Sequence, residues 1–283
     1  MDNWEIFAKS GSVEDYLRYR SGAARQGVTR SMLTTVTGIV IRERSVGEQD
    51  KFIDLLTADQ GVLEVSVRGA KKITSRHGAA SQLYAYGQYC LDSRRDRYYL
   101  NSAQVERIFY DLRQDLTRLS LATYFSELIG FAVGAEHAKS DILRLLLNTL
   151  HYLEEGSRPV PLLKALFELR FLTELGMMPD IVCCDVCGEY APAQLIFRLQ
   201  AGNFICAHCA GEIAPDREQM PVSGSVLQAV RHIVLSDFDR LFHFRLGEGT
   251  ASALSVLAER YTILHLERQF RTLDFYKSLE NLP

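Results

Sequence analysis

The chain shows two different patterns of apolar and polar positions, one before and one after about residue 110. Before that point, short β-branched and apolar runs recur between turn residues, which is typical of strands in a sandwich or barrel. The predicted strands cover residues 36–41, 52–57, 62–67, 83–91 and 97–105. Turns at residues 58–61 and 92–96 separate neighbouring strands. Beyond Leu112, apolar residues recur every three or four positions, which predicts helices.

The second part of the chain is predicted to be helical, with one cysteine-rich interruption. Gly156 follows one amphipathic stretch in the place of a C-terminal glycine, and Pro161 opens the next stretch. Pro179 precedes the cysteine-rich stretch at about 180–214. Helices are predicted over about residues 112–131, 140–155, 161–176, 223–235 and 250–279.

These patterns together predict an α+β multidomain protein. Five short strands over residues 31–108 favour an N-terminal OB-fold, the five-stranded β-barrel that binds oligonucleotides or oligosaccharides. Residues 109–283 are predicted to form a C-terminal helical domain with an inserted four-cysteine zinc ribbon. Residues 1–30 form a separate N-terminal extension, whose scattered aromatic residues are expected to dock on the body of the protein.

Composition narrows the class of protein without identifying it. The 283 residues are 47% hydrophobic and 24% charged, as in a soluble globular protein. No apolar run approaches the ~20 residues of a membrane span, and the N-terminus lacks the apolar core of a signal peptide, so a cytoplasmic protein is expected. Because the formal net charge is −3, a nucleic-acid site would have to be a local basic patch.

Four cysteines in two C-x-x-C pairs predict a metal site. Cys184 and Cys187 are separated by 18 residues from Cys206 and Cys209, a spacing typical of four-thiolate zinc sites. A hairpin around Gly202 is predicted between the pairs. We expect one structural Zn²⁺ ion, because four thiolates leave no open position for a catalytic water.

Other residues near the pairs offer alternatives as ligands. Cys183 lies beside Cys184 and competes with it at a C-x₃-C spacing, and His208 lies inside the second pair. The two-residue spacing favours Cys184, and four thiolates make His208 unnecessary. Cys90 lies in an apolar strand and is expected to be a core thiol. No H-E-x-x-H pattern accompanies the cysteines, and we expect no enzymatic activity.

A basic run follows the third predicted strand. Residues 68–78 carry Arg68, Lys71, Lys72 and Arg76 and contain no acidic residue. Long cationic side chains in a loop between barrel strands can neutralise phosphates along a track. Further candidate DNA-binding residues are Arg42, Arg44, Arg94 and Arg95.

The basic run also has a simpler explanation, as a solvated loop that binds nothing. Aromatic residues are interleaved with the basic ones, and those that face outwards can stack on bases. They are Tyr84, Tyr86, Tyr89, Tyr98 and Tyr99. Because side chains alternate across a strand, about half of these tyrosines are expected to point into the barrel core.

Several segments together resemble the bacterial RecO family of recombination-repair mediators. They are residues 40–44, 47–51 and 55–57, the run Arg68-Gly69-Ala70-Lys71-Lys72, residues 167–170 and 175–179, and the four paired cysteines. Many families share the cysteine pattern alone. The combination of the first-strand segment, the basic run and a later four-cysteine insert is more specific to this family. The resemblance begins at about Ser31. Residues 1–30 lie outside it and resemble short YqzL-like peptides.

The resemblance implies a DNA-repair and recombination mediator that is not an enzyme. Such proteins bind and anneal single-stranded DNA, act with RecR, and help RecA replace the single-strand-binding protein on DNA. By position, Arg68, Lys71, Lys72 and Arg76 belong to the DNA-binding barrel, and the paired cysteines are zinc ligands. The resemblance also implies a groove in the helical domain for the acidic, apolar tail of the single-strand-binding protein. The expected location is the cytoplasm, in association with the nucleoid.

Two other functions stay open from the residues alone. A zinc-ribbon scaffold would bind proteins without contacting DNA. A zinc-dependent hydrolase or nucleic-acid-modifying enzyme would need an open metal site and a nearby base. Titration with a single-stranded oligonucleotide at low and moderate salt separates the mediator from the scaffold, and chelator-sensitive turnover would reveal the enzyme.

Overall fold

Five strands form a closed barrel in the computed structural model, which describes residues 32–95, 97–134, 140–212 and 218–280. The strands are β1 (Met32–Val46), β2 (Asp50–Thr57), β3 (Val62–Val67), β4 (Ala85–Arg94) and β5 (Arg97–Ile108). Their order is β1-β2-β3-β5-β4, and the neighbouring pairs are antiparallel except for β3 with β5. The five predicted strands are confirmed. The predicted extension at residues 1–30 lies outside the described residues.

The barrel interior is filled by apolar side chains that alternate with outward-facing polar ones, as the two-residue period of a strand requires. The buried cluster includes Val36, Val40, Ile53, Val65, Tyr89, Leu91 and Leu100. Tyr89 is accommodated because its hydroxyl donates to the carbonyl oxygens of Ala80 and Ala85, at 3.1 and 2.9 Å.

Two glycines allow the strands to approach closely where the barrel curves. Gly38 of β1 pairs with Gly87 of β4. A Cβ atom added to Gly38 would lie 2.6 Å from the carbonyl oxygen of Leu56, and one added to Gly87 would lie 2.1 Å from that of Gln104. A larger residue at either position would push the strands apart, so the close approach requires glycine.

The β4–β5 hairpin is longer than the sequence predicts. β4 continues to Arg94, which pairs with Arg97 at the start of β5. The predicted turn at residues 92–96 is therefore only the hairpin tip, where Arg95 has a φ of 48°. The polar residues Asp92 and Arg94 belong to the strand because they pair with Tyr99 and Arg97 of β5, and their side chains form an ion pair at 2.5 Å.

Helices and a small sheet make up the rest of the described chain. The helices are α1 (Leu116–Ala132), α2 (Ser140–Glu155), α3 (Val160–Glu174), α4 (Ala207–Ala210), α5 (Gly224–Leu235), α6 (Phe238–Leu241), α7 (Glu248–His265) and α8 (Arg271–Glu280), with a 3₁₀ turn at Asp111–Gln114. The strands β6 (Gln194–Arg198), β7 (Asn203–Cys206) and β8 (Gln219–Ser223) form a sheet in the order β7-β6-β8. The hairpin predicted around Gly202 is β6–β7.

Two features of this region differ from the prediction. The last predicted helix is two helices, since Glu267 adopts a left-handed φ of 50° and Phe270 turns back into the core. The sequence pattern also does not predict β8, because Pro221 lies at its centre. β8 tolerates this proline as an edge strand of the sheet.

The barrel packs on the helical region through one side. Ile39 and Ile41 of β1 join Phe125 and Ile129 of α1 in one hydrophobic cluster. This junction covers Ile39 and Ile41 of β1, whereas residues 71–74 of the loop after β3 are exposed to solvent. None of the described helices is both long and apolar enough to cross a lipid bilayer.

Candidate nucleic-acid interface and metal centre

An open groove of about 440 Å³ lies along β3, β5 and the loop that follows β3. It is lined mainly by cationic, hydroxyl and amide side chains. They are Ser66, Arg68, Lys72, Thr74, Ser75, Arg76, Arg94, Tyr99 and Asn101. Asp92 is the one carboxylate among the described residues that line the groove. The groove therefore offers phosphate-binding groups along its length.

The loop after β3 is held against the turn between β1 and β2. The backbone amide of Gly69 donates to Asp50 Oδ1 at 2.7 Å, and the amide of Lys71 donates to the carbonyl oxygen of Gln49 at 3.0 Å. Lys71 Nζ also donates to the carbonyl oxygen of Gly47 at 3.2 Å. These bonds fix the direction in which the loop leaves β3, where Gly69 has a φ of 63°.

Consecutive turns then order the rest of the basic loop. The amide of Ser75 donates to the carbonyl oxygen of Lys72 at 2.9 Å, and the amide of His77 donates to Ser75 Oγ at 3.2 Å. Arg76 Nε donates to His77 Nε2 at 3.1 Å. Burial, together with the Arg76 charge, lowers the pKa of His77, so the neutral ring accepts this hydrogen bond at pH 7. His77 thus orients Arg76 without neutralising it.

Within the described part of the chain, the cations of this loop have no carboxylate partner. Among the described residues, no ion pair includes Arg68, Lys71, Lys72 or Arg76. The guanidinium of Arg68 lies over the Tyr99 ring instead, an interaction that orients the side chain and keeps its charge. The positive potential of the groove therefore remains available to an anion.

The other candidate DNA-binding residues lie in different surroundings. Arg44 Nη2 donates to Asp54 at 3.0 Å and also contacts the Glu64 carboxylate, which neutralises its charge. Arg42 lies 3.9 Å from Asp54 and lines a separate cleft between β1, α1 and the start of α8. Arg95 lies at the hairpin tip, and of the two arginines Arg94 and Arg95 only Arg94 lines the groove.

The tyrosines divide between the core and the surface. Tyr84 and Tyr89 are completely buried, whereas Tyr86, Tyr98 and Tyr99 are partly exposed. Tyr99 lines the basic groove and also a neighbouring groove of about 560 Å³, which Tyr98 and Phe52 share. Of the two buried rings, only Tyr89 belongs to the barrel cluster, and Tyr84 belongs to the cluster that the barrel shares with the helices, so fewer than the predicted half of the tyrosines point into the barrel core.

The four paired cysteines form one cluster. Sγ atoms of Cys184, Cys187, Cys206 and Cys209 all lie within 4.8 Å of one another. Four sulfurs around a tetrahedral ion with metal–sulfur distances of ~2.3 Å would be about 3.8 Å apart. The Cys187 and Cys206 sulfurs are 3.7 Å apart, so the cluster fits a four-thiolate metal site.

Backbone amides favour the thiolate form of Cys184, which is the form that binds a metal. Burial raises the pKa of the Cys184 thiol, but hydrogen bonds from the amides of Cys187, Cys206 and Val186 outweigh burial and lower it to about 6. The amide of Cys206 lies 3.2 Å from Cys184 Sγ. Gly188, with a φ of 75°, closes the first pair by donating to the carbonyl oxygen of Cys184 at 2.9 Å.

The alternative ligands lie apart from the cluster. Cys183 is not among the clustered sulfurs, and the His208 side chain is 86% exposed and lies near Glu212. Cys90 differs from the prediction of a core thiol, because it is on the outward face of β4, where Asn101 Nδ2 lies 3.7 Å from its sulfur. The alternation in β4 places Tyr89 and Leu91 inside instead.

Comparison with known proteins decides the family. A family model described as "Recombination protein O N terminal" matches residues 32–109, and one described as "Recombination protein O C terminal" matches residues 113–274. The chain belongs to the RecO family. The first match contains the barrel and its basic groove, and the second contains the helical region and the cysteine cluster.

Curated proteins that carry this family name match the chain over nearly their whole length. "DNA repair protein RecO" of Acetivibrio thermocellus is 30% identical over 87% of this chain and 97% of its own length. The RecO of Symbiobacterium thermophilum is 31% identical over 88% of this chain and 98% of its own length, and that of Bacillus pumilus is 27% identical over 89% and 96%. These RecO relatives are DNA repair proteins.

One residue that supports the cysteine cluster could not be found from motifs. Arg231 of α5 is buried, and its Nε donates to the carbonyl oxygen of Ile181 at 2.7 Å. Its Nη2 donates to the carbonyl oxygens of Val182 and Tyr190, at 2.8 and 2.6 Å. These carbonyls flank the first cysteine pair on both sides, so Arg231 fixes that segment to the helical body. A single arginine on an amphipathic helix gives no sequence signal for this role.

Proposed function

We propose that this protein is a non-enzymatic mediator of DNA repair and homologous recombination that binds and anneals single-stranded DNA. The observation that carries the proposal is the groove that Arg68, Lys72 and Arg76 line, where none of the three has a carboxylate partner within the described part of the chain. Cations in this state exchange counterions for DNA phosphates. The names of the curated relatives support a role in DNA repair.

The barrel is proposed to be an OB-fold. Its five strands, their order, and the closure of β1 with β4 support this assignment. OB-folds bind oligonucleotides through the face of strands 2 and 3 and through adjoining loops. Here β3 and its following loop carry Arg68, Lys72 and Arg76, and Phe52 of β2 lies in the neighbouring groove. The proposed ligand is therefore an unpaired strand that lies across β2, β3 and β5.

The cysteine cluster is proposed to bind one structural Zn²⁺ ion in a zinc ribbon. Zinc suits a site of four thiolates without an open position. Cys184, Cys206 and Cys209 are buried, and β6 and β7 connect the two pairs as a hairpin. The ion would hold the segment between α3 and α5 in its fold. DNA would bind elsewhere, to residues of the barrel.

The proposed partners follow from the mediator role that the RecO family resemblance implies. We propose that the protein acts with RecR and helps to load RecA onto DNA that is coated by the single-strand-binding protein. The helical region would receive the acidic, apolar tail of that coat protein. The protein would work in the cytoplasm at the nucleoid, where these partners meet DNA.

A binding and annealing assay tests the proposal. Fluorescence anisotropy of a labelled oligo-dT strand, titrated with the full chain at low and moderate salt, should show binding that weakens as salt rises. Mixing two complementary labelled strands should show faster annealing with the protein than without it. Absence of binding at low salt would instead favour a zinc-ribbon scaffold that contacts proteins only.

A further inference from the structure

Ile73 is an apolar residue at the tip of the basic loop, and its side chain is fully exposed at 105%. No other large hydrophobic residue among the described ones is as exposed, and the next, Met32, has 64% exposure. A β-branched aliphatic side chain in this position contributes no packing to the folded protein. We therefore look for a role of Ile73 in contact with a bound ligand.

The loop presents Ile73 in a defined conformation. Ile73 and Thr74 are the central residues of a turn closed by the hydrogen bond from the amide of Ser75 to the carbonyl oxygen of Lys72, at 2.9 Å. The preceding amide-to-carbonyl bond from Lys72 to Gly69, at 3.2 Å, continues the ordered backbone. A preorganised loop loses little conformational entropy when a ligand contacts its tip.

The residues beside Ile73 determine which part of a bound ligand contacts its side chain. Lys72, Thr74 and Ser75 line the basic groove, and Ile73 lies between them without lining it, so a strand that leaves the groove over this turn would meet the Ile73 side chain. Phosphates would contact the lysine and the hydroxyls, because an aliphatic group cannot bind a charged oxygen. An aliphatic group can cover the face of an unpaired base directly, whereas in a duplex it would first have to unstack a base step, at a cost of a few kcal/mol.

We propose that Ile73 packs against the face of an unpaired nucleobase while Lys72 and Arg68 contact phosphates of the same strand. The inference rests on the proposed function, since the groove must bind DNA for Ile73 to meet a base. It adds an apolar contact to an electrostatic site, and this contact gives the groove a preference for single-stranded over double-stranded DNA.

The test compares Ile73→Ser with a matched control, Val256→Ser, which removes a 52% exposed β-branched side chain from α7. For oligo-dT at fixed salt, Ile73→Ser should bind roughly three- to tenfold more weakly, and Val256→Ser should bind like the unsubstituted protein. The slope of log affinity against log salt should not change, because no phosphate contact is lost. Ile73→Leu should restore most of the affinity.

A strand of the same length that carries abasic sites separates base contacts from phosphate contacts. The unsubstituted protein and Ile73→Ser should bind this abasic strand equally. Equal affinity of the two proteins for oligo-dT would overturn the inference, and so would an equal loss on both strands or a reduced salt slope for Ile73→Ser. If the unsubstituted protein binds neither strand, the proposed function itself fails.

Discussion

The guanidinium carbon of Arg68 lies 5.2 Å from the centroid of the Tyr99 ring. The guanidinium carbon of Arg94 lies 5.9 Å from the same centroid, so one aromatic ring contacts two cations of the groove. A ring attracts a cation through its quadrupole and, unlike a carboxylate, does not cancel the charge. Tyr99 therefore positions Arg68 in the groove with its charge available to phosphates, whereas the charge of Arg94 is paired with Asp92.

Replacing Tyr99 should weaken binding to single-stranded DNA without unfolding the barrel. Tyr99→Leu removes the ring that orients Arg68 and Arg94, and a cation–π contact at such a site contributes about 0.5–1 kcal/mol. We expect a two- to fivefold loss of affinity for oligo-dT, roughly as that energy predicts. Tyr99→Phe keeps the ring and should bind normally. Anisotropy titration of both variants checks this, and equal affinity of Tyr99→Leu and Tyr99→Phe would contradict it.

Removing two of the clustered cysteines should reduce stability before it alters DNA binding. In a Cys206→Ser/Cys209→Ser variant, the metal site loses one complete pair, and the free energy of metal binding no longer supports the fold. We expect the melting temperature to fall by about 10 °C or more, while affinity for oligo-dT at 20 °C stays within about twofold. Cys90→Ser, outside the cluster, is the matched control. An unchanged melting temperature in the double variant would contradict the structural role.

Arg231 should be required for the stability of the segment that carries the first cysteine pair. Arg231→Met leaves the carbonyl oxygens of Ile181, Val182 and Tyr190 without their buried donor, and each unsatisfied group costs about 1–3 kcal/mol. We expect the free energy of unfolding in urea to fall by about 3 kcal/mol. Arg245→Met, at an exposed position, should leave it unchanged. A loss below about 0.5 kcal/mol for Arg231→Met would show that these hydrogen bonds are dispensable.

A buried charged network in α3 should make stability depend on pH. Lys164 Nζ lies 3.0 Å from Glu168 Oε1 and 3.0 Å from Glu259 Oε2, and the Tyr124 hydroxyl donates to Glu168 at 2.8 Å. Burial raises the pKa of Glu168 to about 7, with Lys164 acting in the opposite direction. The folded state therefore holds the Glu168 proton more tightly than the unfolded state, whose carboxyl has a pKa near 4.5.

The stability that this proton contributes is complete below about pH 4.5 and is lost as the pH rises through 7. Relative to Glu168→Gln, which does not titrate, the unsubstituted protein should lose up to about 1.4 kcal/mol of unfolding free energy per pH unit between pH 5 and 7. Urea unfolding at pH 5, 6, 7 and 8 measures this difference. Glu248→Gln, at an exposed position, should show no such trend, and a constant difference for Glu168→Gln would contradict the assignment.

The strands, the cysteine pairs and the basic run could be predicted because each depends on local spacing. Val62 to Val67 alternates as a strand must, and a C-x-x-C turn needs only its own residues. Whether a carboxylate neutralises a given arginine could not be predicted in this way. Arg44 and Arg68 are both arginines near strand ends, yet Arg44 is neutralised by Glu64 and Arg68 lies over Tyr99.

Contacts between distant segments of the chain decide whether an arginine is neutralised. These contacts depend on the register of the strands. Glu64 reaches Arg44 because β2 holds β1 and β3 in register, with Asp54 opposite both Arg42 and Glu64. Asp50 holds the basic loop through the amide of Gly69, 19 residues further along the chain. Sequence spacing carries no information about either contact.

The salt dependence of binding tests the groove most directly. Affinity for oligo-dT should be measured between about 50 and 300 mM salt for the unsubstituted protein, for Arg68→Gln/Lys72→Gln/Arg76→Gln, and for the exposed control Arg245→Gln. Each phosphate contact adds about −0.7 to the log–log slope, so the triple variant should have a slope shallower by about 2, with the control unchanged. Equal slopes for all three proteins would show that DNA does not bind in this groove.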